Sequence, residues 1–115
     1  FTGAAPKPYI TILDGTTDWA LLQCEVLSAF PKPDVQWQNR AGDIVPAEEP
    51  QVSERGGRYD IILQTTVTKT DHYRCVSTQE EIHHQTHAKI FVLMNGQLYF
   101  NLQIIVLWSF YMFSC

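Results

Sequence analysis

The chain contains three cysteines, and their positions limit what it can fold into more than any other feature does. Cys24 and Cys75 lie far apart within a region of alternating apolar and polar residues, whereas Cys115 is the last residue. Two internal cysteines and a terminal one indicate a single bridge with one leftover thiol. A bridge of this kind requires folding in an oxidising compartment. A reactive thiol at Cys75 beside His72 is the competing interpretation, but on a strand these two side chains project to opposite faces.

Short segments of strand character recur along the chain at intervals of roughly 8–12 residues. In "WALLQCEV" every second residue from Ala20 to Val26 is apolar, so one face of this strand is expected to be buried. In "RYDIILQTTVTK", Ile61 and Leu63 are expected to face inward and Thr66 to face water. No amphipathic helix separates the segments. The pattern therefore predicts about seven short strands in an antiparallel sandwich or barrel.

Size and composition narrow the range of functions. With 115 residues, 45% of them apolar, the chain has enough material for one folded domain with a core. The net charge of −4 includes no block of like charge, so no nucleic-acid partner is expected. No glycine-rich phosphate loop or nucleophile motif is present, and we expect neither catalysis nor a cofactor. His83, His84 and His87 are interpreted as a solvated hairpin rather than a metal site, since neighbouring side chains on a strand diverge.

Two aromatic residues accompany the cysteines. Trp37 lies between Cys24 and Cys75, and Tyr73 lies two places before Cys75. This order is the hallmark set of immunoglobulin domains, in which a bridge joins the two sheets, a tryptophan covers it, and a tyrosine hydroxyl returns to the backbone. The set predicts an immunoglobulin-like Greek-key sandwich of about seven strands with one inter-sheet disulfide, Cys24–Cys75. Asp71 is expected to set the turn into the strand that carries Tyr73.

The segment "CEVLSAFPKPDVQW" resembles the cysteine–loop–tryptophan segment of constant-type immunoglobulin domains, and "DHYRC" extends the likeness. Among these domains the chain is most similar to the membrane-proximal domain of butyrophilins and related T-cell costimulatory ligands. The resemblance implies a cis peptide bond between Phe30 and Pro31. The family's extracellular domains usually carry Asn-x-Ser/Thr acceptors and follow a variable-type domain, and the printed sequence includes neither. No binding-surface residues are therefore carried over from the family.

The end of the chain differs in composition from the rest. We assign residues 1–93 to the immunoglobulin-type domain and residues 94–115 to an uncharged apolar tail. Leu98 to Cys115 is just long enough for a membrane-spanning helix, Asn95-Gly96 offers a poor lipid-anchor site, and a truncated chain end is the third interpretation. A tail that packs on the sandwich is the remaining alternative. The start, "FTGAAPKPYI", lacks the features of a signal peptide. We expect the chain to be either a mature form or a fragment, and we favour a fragment.

Three functional hypotheses follow. The first is a cell-surface recognition and spacer domain of a butyrophilin-like immune ligand, whose partner is a protein receptor or sister chain on the same or another cell. The second is a constant domain that pairs with another chain, as in antigen-presentation or antibody-like molecules. The third is a secreted decoy whose tail is no anchor. All three place the domain outside the cell, at the plasma membrane or secreted.

Overall fold

The structure is a computed structural model that describes residues 6–94, which form seven strands and one short 3-10 helix. The elements are, in chain order, β1 (Tyr9–Gly15), β2 (Ala20–Ala29), β3 (Asp34–Gln38), β4 (Gln51–Arg55), β5 (Arg58–Val67), β6 (Asp71–Gln79), the 3-10 helix (Glu80–Ile82) and β7 (His84–Val92). All strand pairs are antiparallel. The predicted all-β architecture of about seven strands is confirmed.

The strands form two sheets, with the order β1-β2-β5-β4 in one and β3-β6-β7 in the other. Strands β2 and β5 occupy the middle of the first sheet and pair from Ala20↔Val67 to Val26↔Ile61. Strand β6 occupies the middle of the second sheet and pairs with β7 over its whole length. The two internal cysteines therefore both lie on central strands, β2 and β6.

The core lies between the sheets and follows the two-residue period of the strands. From β2 the buried side chains are those at even positions up to Val26 and then, after a bulge, Ala29; from β5 and β6 they are those at odd positions together with Val76. The apolar cluster at the core comprises Ala20, Leu22, Cys24, Val26, Ala29, Val35, Trp37, Ile61, Leu63, Val67, Tyr73, Cys75, Val92 and Met94. Met94, which the sequence assigned to the tail, packs in this core with its N–H donating to the Thr70 hydroxyl at 2.8 Å.

A tight hairpin joins β4 to β5 through Gly56 and Gly57, whose φ angles are 59° and 83°. Two consecutive residues with positive φ are the signature of a type I′ turn, which glycine adopts without steric cost. The polar composition of this segment predicts only a short edge strand at residues 51–53. In the structure β4 continues to Arg55 because the turn returns the chain directly into β5.

Thr65 is a core residue that the sequence pattern did not single out. It lies on the inner face of β5 and is only 1% exposed. Its hydroxyl donates a hydrogen bond of 2.6 Å to the Pro46 carbonyl oxygen. One residue earlier, the Gln64 carbonyl oxygen accepts a 2.9 Å hydrogen bond from the Glu48 N–H. These two bonds fix the irregular segment between β3 and β4 against β5.

Replacing Thr65 with valine tests this attachment. T65V keeps the shape of the side chain but removes the hydroxyl, so it is expected to lower the free energy of unfolding by about 1 kcal/mol. T66V is the matched control, because Thr66 is the exposed neighbour on the same strand, and it is expected to change stability by less than about 0.5 kcal/mol. Urea unfolding of the oxidised full chain measures both. A T65V protein as stable as T66V would contradict the assignment.

Candidate interaction surfaces

The centre of the sandwich is the disulfide Cys24–Cys75, whose Cα atoms are 6.3 Å apart. Both cysteines are fully buried. Trp37 pairs with Cys75 across β3 and β6, and it is fully buried as well. Its indole Nε1–H donates to the Leu63 carbonyl oxygen at 3.1 Å, which links the two sheets by a polar contact beside the bridge. Closing a loop of this length stabilises the fold by about 4 kcal/mol in the chain-entropy model.

Tyr73 lies two residues before Cys75 on the inner face of β6 and is 5% exposed. Its hydroxyl donates to the Lys69 carbonyl oxygen at 2.7 Å, so the tyrosine fastens the turn between β5 and β6. Burial, and secondarily the nearby Asp71 carboxylate, raise the pKa of Tyr73 above its usual value. Asp71 opens the strand and accepts a 2.7 Å hydrogen bond from the His72 N–H.

The loop between β2 and β3 contains the Phe30–Pro31 peptide bond, which is cis. The Pro31 carbonyl oxygen accepts a 2.6 Å hydrogen bond from Nε2 of Gln79, a side chain with no solvent exposure. Sequence reasoning missed Gln79. Counting two residues at a time from Tyr73 and Cys75 would have placed it on the inner face, but its polar type argued for the surface.

The outer face of the four-stranded sheet is polar at its centre. Gln64 on β5 donates to the Gln23 side chain on β2 at 2.8 Å, and Gln23 donates to Glu25 at 3.0 Å. At the hairpin end, Asp60 accepts hydrogen bonds from Arg55 at 2.6 Å and from the Ser28 N–H at 2.7 Å. The Arg55 guanidinium, followed by the Ser28 N–H, lowers the pKa of Asp60. The polar side chains named here are thus paired with one another or with the backbone.

The outer face of the three-stranded sheet has a different character. Here Arg40, His72, Arg74 and Lys89 line an open cavity of about 280 Å³. Arg74 and Lys89 are direct partners in the β6–β7 ladder, and Arg74 reaches the Gln38 side-chain oxygen on β3 at 3.3 Å. His72 packs on Phe91 with ring centroids 4.8 Å apart. His72 and Arg74 thus lie on the outer face, as the alternation of β6 predicted.

The histidines near the last hairpin are spread along it. His83 follows the 3-10 helix with a φ of 51°, while His84 and His87 lie on β7. Within residues 6–94 no three histidine, cysteine, aspartate or glutamate side chains converge on a common point as metal ligands would.

The tail beyond Met94, including Asn95-Gly96, the apolar run from Leu98 and the terminal Cys115, lies outside the described residues. In the part of the chain that is described, no helix has the length and apolar character needed to cross a membrane.

Two paired sheets with the orders β1-β2-β5-β4 and β3-β6-β7, joined by a disulfide beside a buried tryptophan, define a constant-type immunoglobulin sandwich. The protein-family comparison identifies the kind of constant domain. Residues 5–87 match the model of the butyrophilin subfamily 3 member A2-like Ig-C domain. The chain belongs to this family.

Solved structures share the fold. A crystal structure of bovine butyrophilin superposes with a TM-score of 0.70 at 15% identity, over 77% of this chain and 44% of that one. The mouse nectin-like molecule 4 ectodomain gives 0.67 at 10% identity, over 76% and 33%. The IgNAR antibody domain C3 gives 0.56 at 17% identity, over 77% and 98%. The chain thus spans less than half of the butyrophilin and nectin-like chains. Comparison with curated proteins finds no match.

Replacing Tyr73 with phenylalanine tests the fastening of the β5–β6 turn. Y73F removes the hydrogen bond to the Lys69 carbonyl and is expected to lower the free energy of unfolding by about 1 kcal/mol at neutral pH. Y59F is the matched control, because the half-buried Tyr59 hydroxyl makes no hydrogen bond within residues 6–94.

The pH dependence of Y73F is set by the direction of the pKa shift. The folded pKa of Tyr73 is raised above 10.0, so its protonated form contributes stability that is fully present below pH 10 and is lost as the pH rises through the folded pKa. The stability difference between wild type and Y73F is therefore expected to shrink above about pH 10. Urea titrations between neutral and alkaline pH measure it, and a difference that grows with pH contradicts the assignment.

Proposed function

We propose that this chain is a non-catalytic recognition and spacer domain in the extracellular part of a butyrophilin-like immune co-signalling ligand. It acts through protein–protein contacts, on the cell surface or in a secreted form of the same molecule. The observation that carries the proposal is the match of residues 5–87 to a butyrophilin-type Ig-C domain, on a chain with that domain's disulfide-bonded sandwich.

The fold supports a contact function through its surfaces. Within residues 6–94 the bridge and the tryptophan are fully buried between the two sheets. What the sandwich presents to other molecules are its two sheet faces and its end loops. In this fold, interaction specificity resides in such surfaces rather than in the core.

The polar outer face of the four-stranded sheet favours this proposal over a chain-pairing constant domain. An obligate pairing surface is expected to be apolar at its centre. Here the centre holds the hydrogen-bonded Gln23, Glu25 and Gln64 side chains. The sheet also exposes apolar side chains, among them Tyr9, Leu27 and Val52, which lie on three different strands.

The proposal predicts that the chain binds a protein on T cells. Oxidised full chain, biotinylated and tetramerised on streptavidin, is expected to stain activated or resting T cells saturably, above a tetramer of an unrelated immunoglobulin constant domain. Pretreating the cells with a protease should abolish the staining, because the expected partner is a protein. Flow cytometry over a concentration series measures both effects.

Two outcomes count against the proposal. One is staining no greater than that of the unrelated domain on both cell states. The other is staining that survives protease treatment, which would indicate a lipid or glycan partner. Sedimentation of the same preparation distinguishes the proposed function from the chain-pairing alternative. A spacer and recognition domain is expected to be monomeric at micromolar concentration, whereas a pairing domain is expected to dimerise.

A further inference from the structure

We propose that the outer face of the three-stranded sheet carries a binding site for a short acidic protein segment. The site, called the basic pocket below, is formed by Arg40, His72, Arg74 and Lys89. The inference rests on the proposed function in one respect, namely that the occupant is a protein. It goes further by naming the surface and the chemistry of that partner.

The pocket is built on regular structure. His72 and Arg74 lie two residues apart on β6, the central strand of the sheet, so they project to the same outer face. Lys89 on β7 stands opposite Arg74 in the ladder. Arg40 comes from the turn after β3, which is held by a hydrogen bond from the Gly42 N–H to the Asn39 carbonyl at 3.0 Å. Two strands and one ordered turn therefore position the four side chains.

The positive charges of the pocket are not neutralised by the domain itself. Within residues 6–94, Arg40, Arg74 and Lys89 form no ion pair with a carboxylate; Arg55–Asp60 is the salt bridge of this part of the chain. Arg74 instead contacts the neutral Gln38. The chain has only 8 lysines and arginines and a net charge of −4. A cluster of three cations without carboxylate partners is therefore a local positive region on a protein that is negative overall. Like charges side by side on a sheet are destabilising, and a bound anion offsets that cost.

An apolar rim adjoins the basic pocket. Phe91 lies opposite His72 in the ladder, packs against its ring at an interplanar angle of 44°, and is 51% exposed. Leu93, two residues further on, is 48% exposed. A peptide segment can supply both kinds of group that this surface would bind. Its carboxylates would contact the arginines, and an aromatic or aliphatic side chain beside them would contact Phe91. An arginine fork also matches the geometry of a carboxylate.

The net negative charge of the domain favours a short ligand over a long one. A long polyanion, such as a sulfated polysaccharide, extends beyond the cavity and meets the rest of a surface that is negative overall. Charges within a Debye length of about 10 Å at 0.1 M salt act on one another. A compact acidic segment is attracted by the basic pocket without that repulsion.

The test uses the oxidised full chain and a fluorescein-labelled peptide with glutamates on both sides of a phenylalanine. The matched peptide has glutamines in place of the glutamates. Fluorescence anisotropy is expected to show binding of the acidic peptide alone, weakening several-fold when NaCl rises from about 50 to about 200 mM. The double variant R74Q/K89Q is expected to bind about fivefold more weakly or worse.

The control variant is K7Q/K32Q, which removes the same charge from two exposed lysines outside the basic pocket and is expected to bind like wild type. R40Q/K89Q changes only exposed side chains and repeats the test should R74Q lower the thermal midpoint. Equal binding by wild type and both pocket variants overturns the proposal. So does tighter binding of a labelled heparin oligosaccharide than of the acidic peptide. T-cell staining that persists in R74Q/K89Q would overturn this site while leaving the proposed function intact.

Discussion

The bridge between Cys24 and Cys75, with Trp37 beside it, is the interaction on which the rest of the structure depends. It joins the central strand of one sheet to the central strand of the other. The Trp37 indole adds a hydrogen bond to the Leu63 backbone. Because side chains alternate with a period of two, fixing one inward residue on β2 and one on β6 decides the faces that their neighbours on those strands occupy, on β2 as far as the bulge after Val26.

The outer surface is a direct consequence of this register. With Tyr73 and Cys75 turned inward, His72 and Arg74 must lie outside, and the β6–β7 ladder brings Phe91 and Lys89 beside them. The same logic gives the four-stranded sheet its outer Gln23, Glu25 and Gln64. Among residues 6–94 the two faces differ in chemistry, since the central polar side chains of one pair with each other and the cations of the other have no carboxylate partner.

The strand alternation and the Cys–Trp–Tyr–Cys set were sufficient to predict the sandwich, its disulfide and the outward placement of His72 and Arg74. They could not show that Arg40 lies beside these residues. Arg40 belongs to the turn after β3, and only the folded sheet brings that turn close to β6 and β7, which are distant in sequence. Thr65 and Gln79 were missed for another reason. Each is a polar residue at an inward position, and its buried side chain donates a hydrogen bond to one backbone carbonyl, that of Pro46 or Pro31. Only the folded chain brings that carbonyl within hydrogen-bond distance. The length of β4 likewise depended on turn geometry rather than composition.

The central claim is that the bridge makes the two sheets one cooperative unit, and native-state hydrogen exchange tests it most directly. Exchange is compared between the oxidised full chain and a C24A/C75A variant at low temperature. The account predicts that amides of β2 and β5 in one sheet and of β6 in the other lose protection together, by about 4 kcal/mol. Retention of full protection in either sheet while the other loses it would contradict the claim.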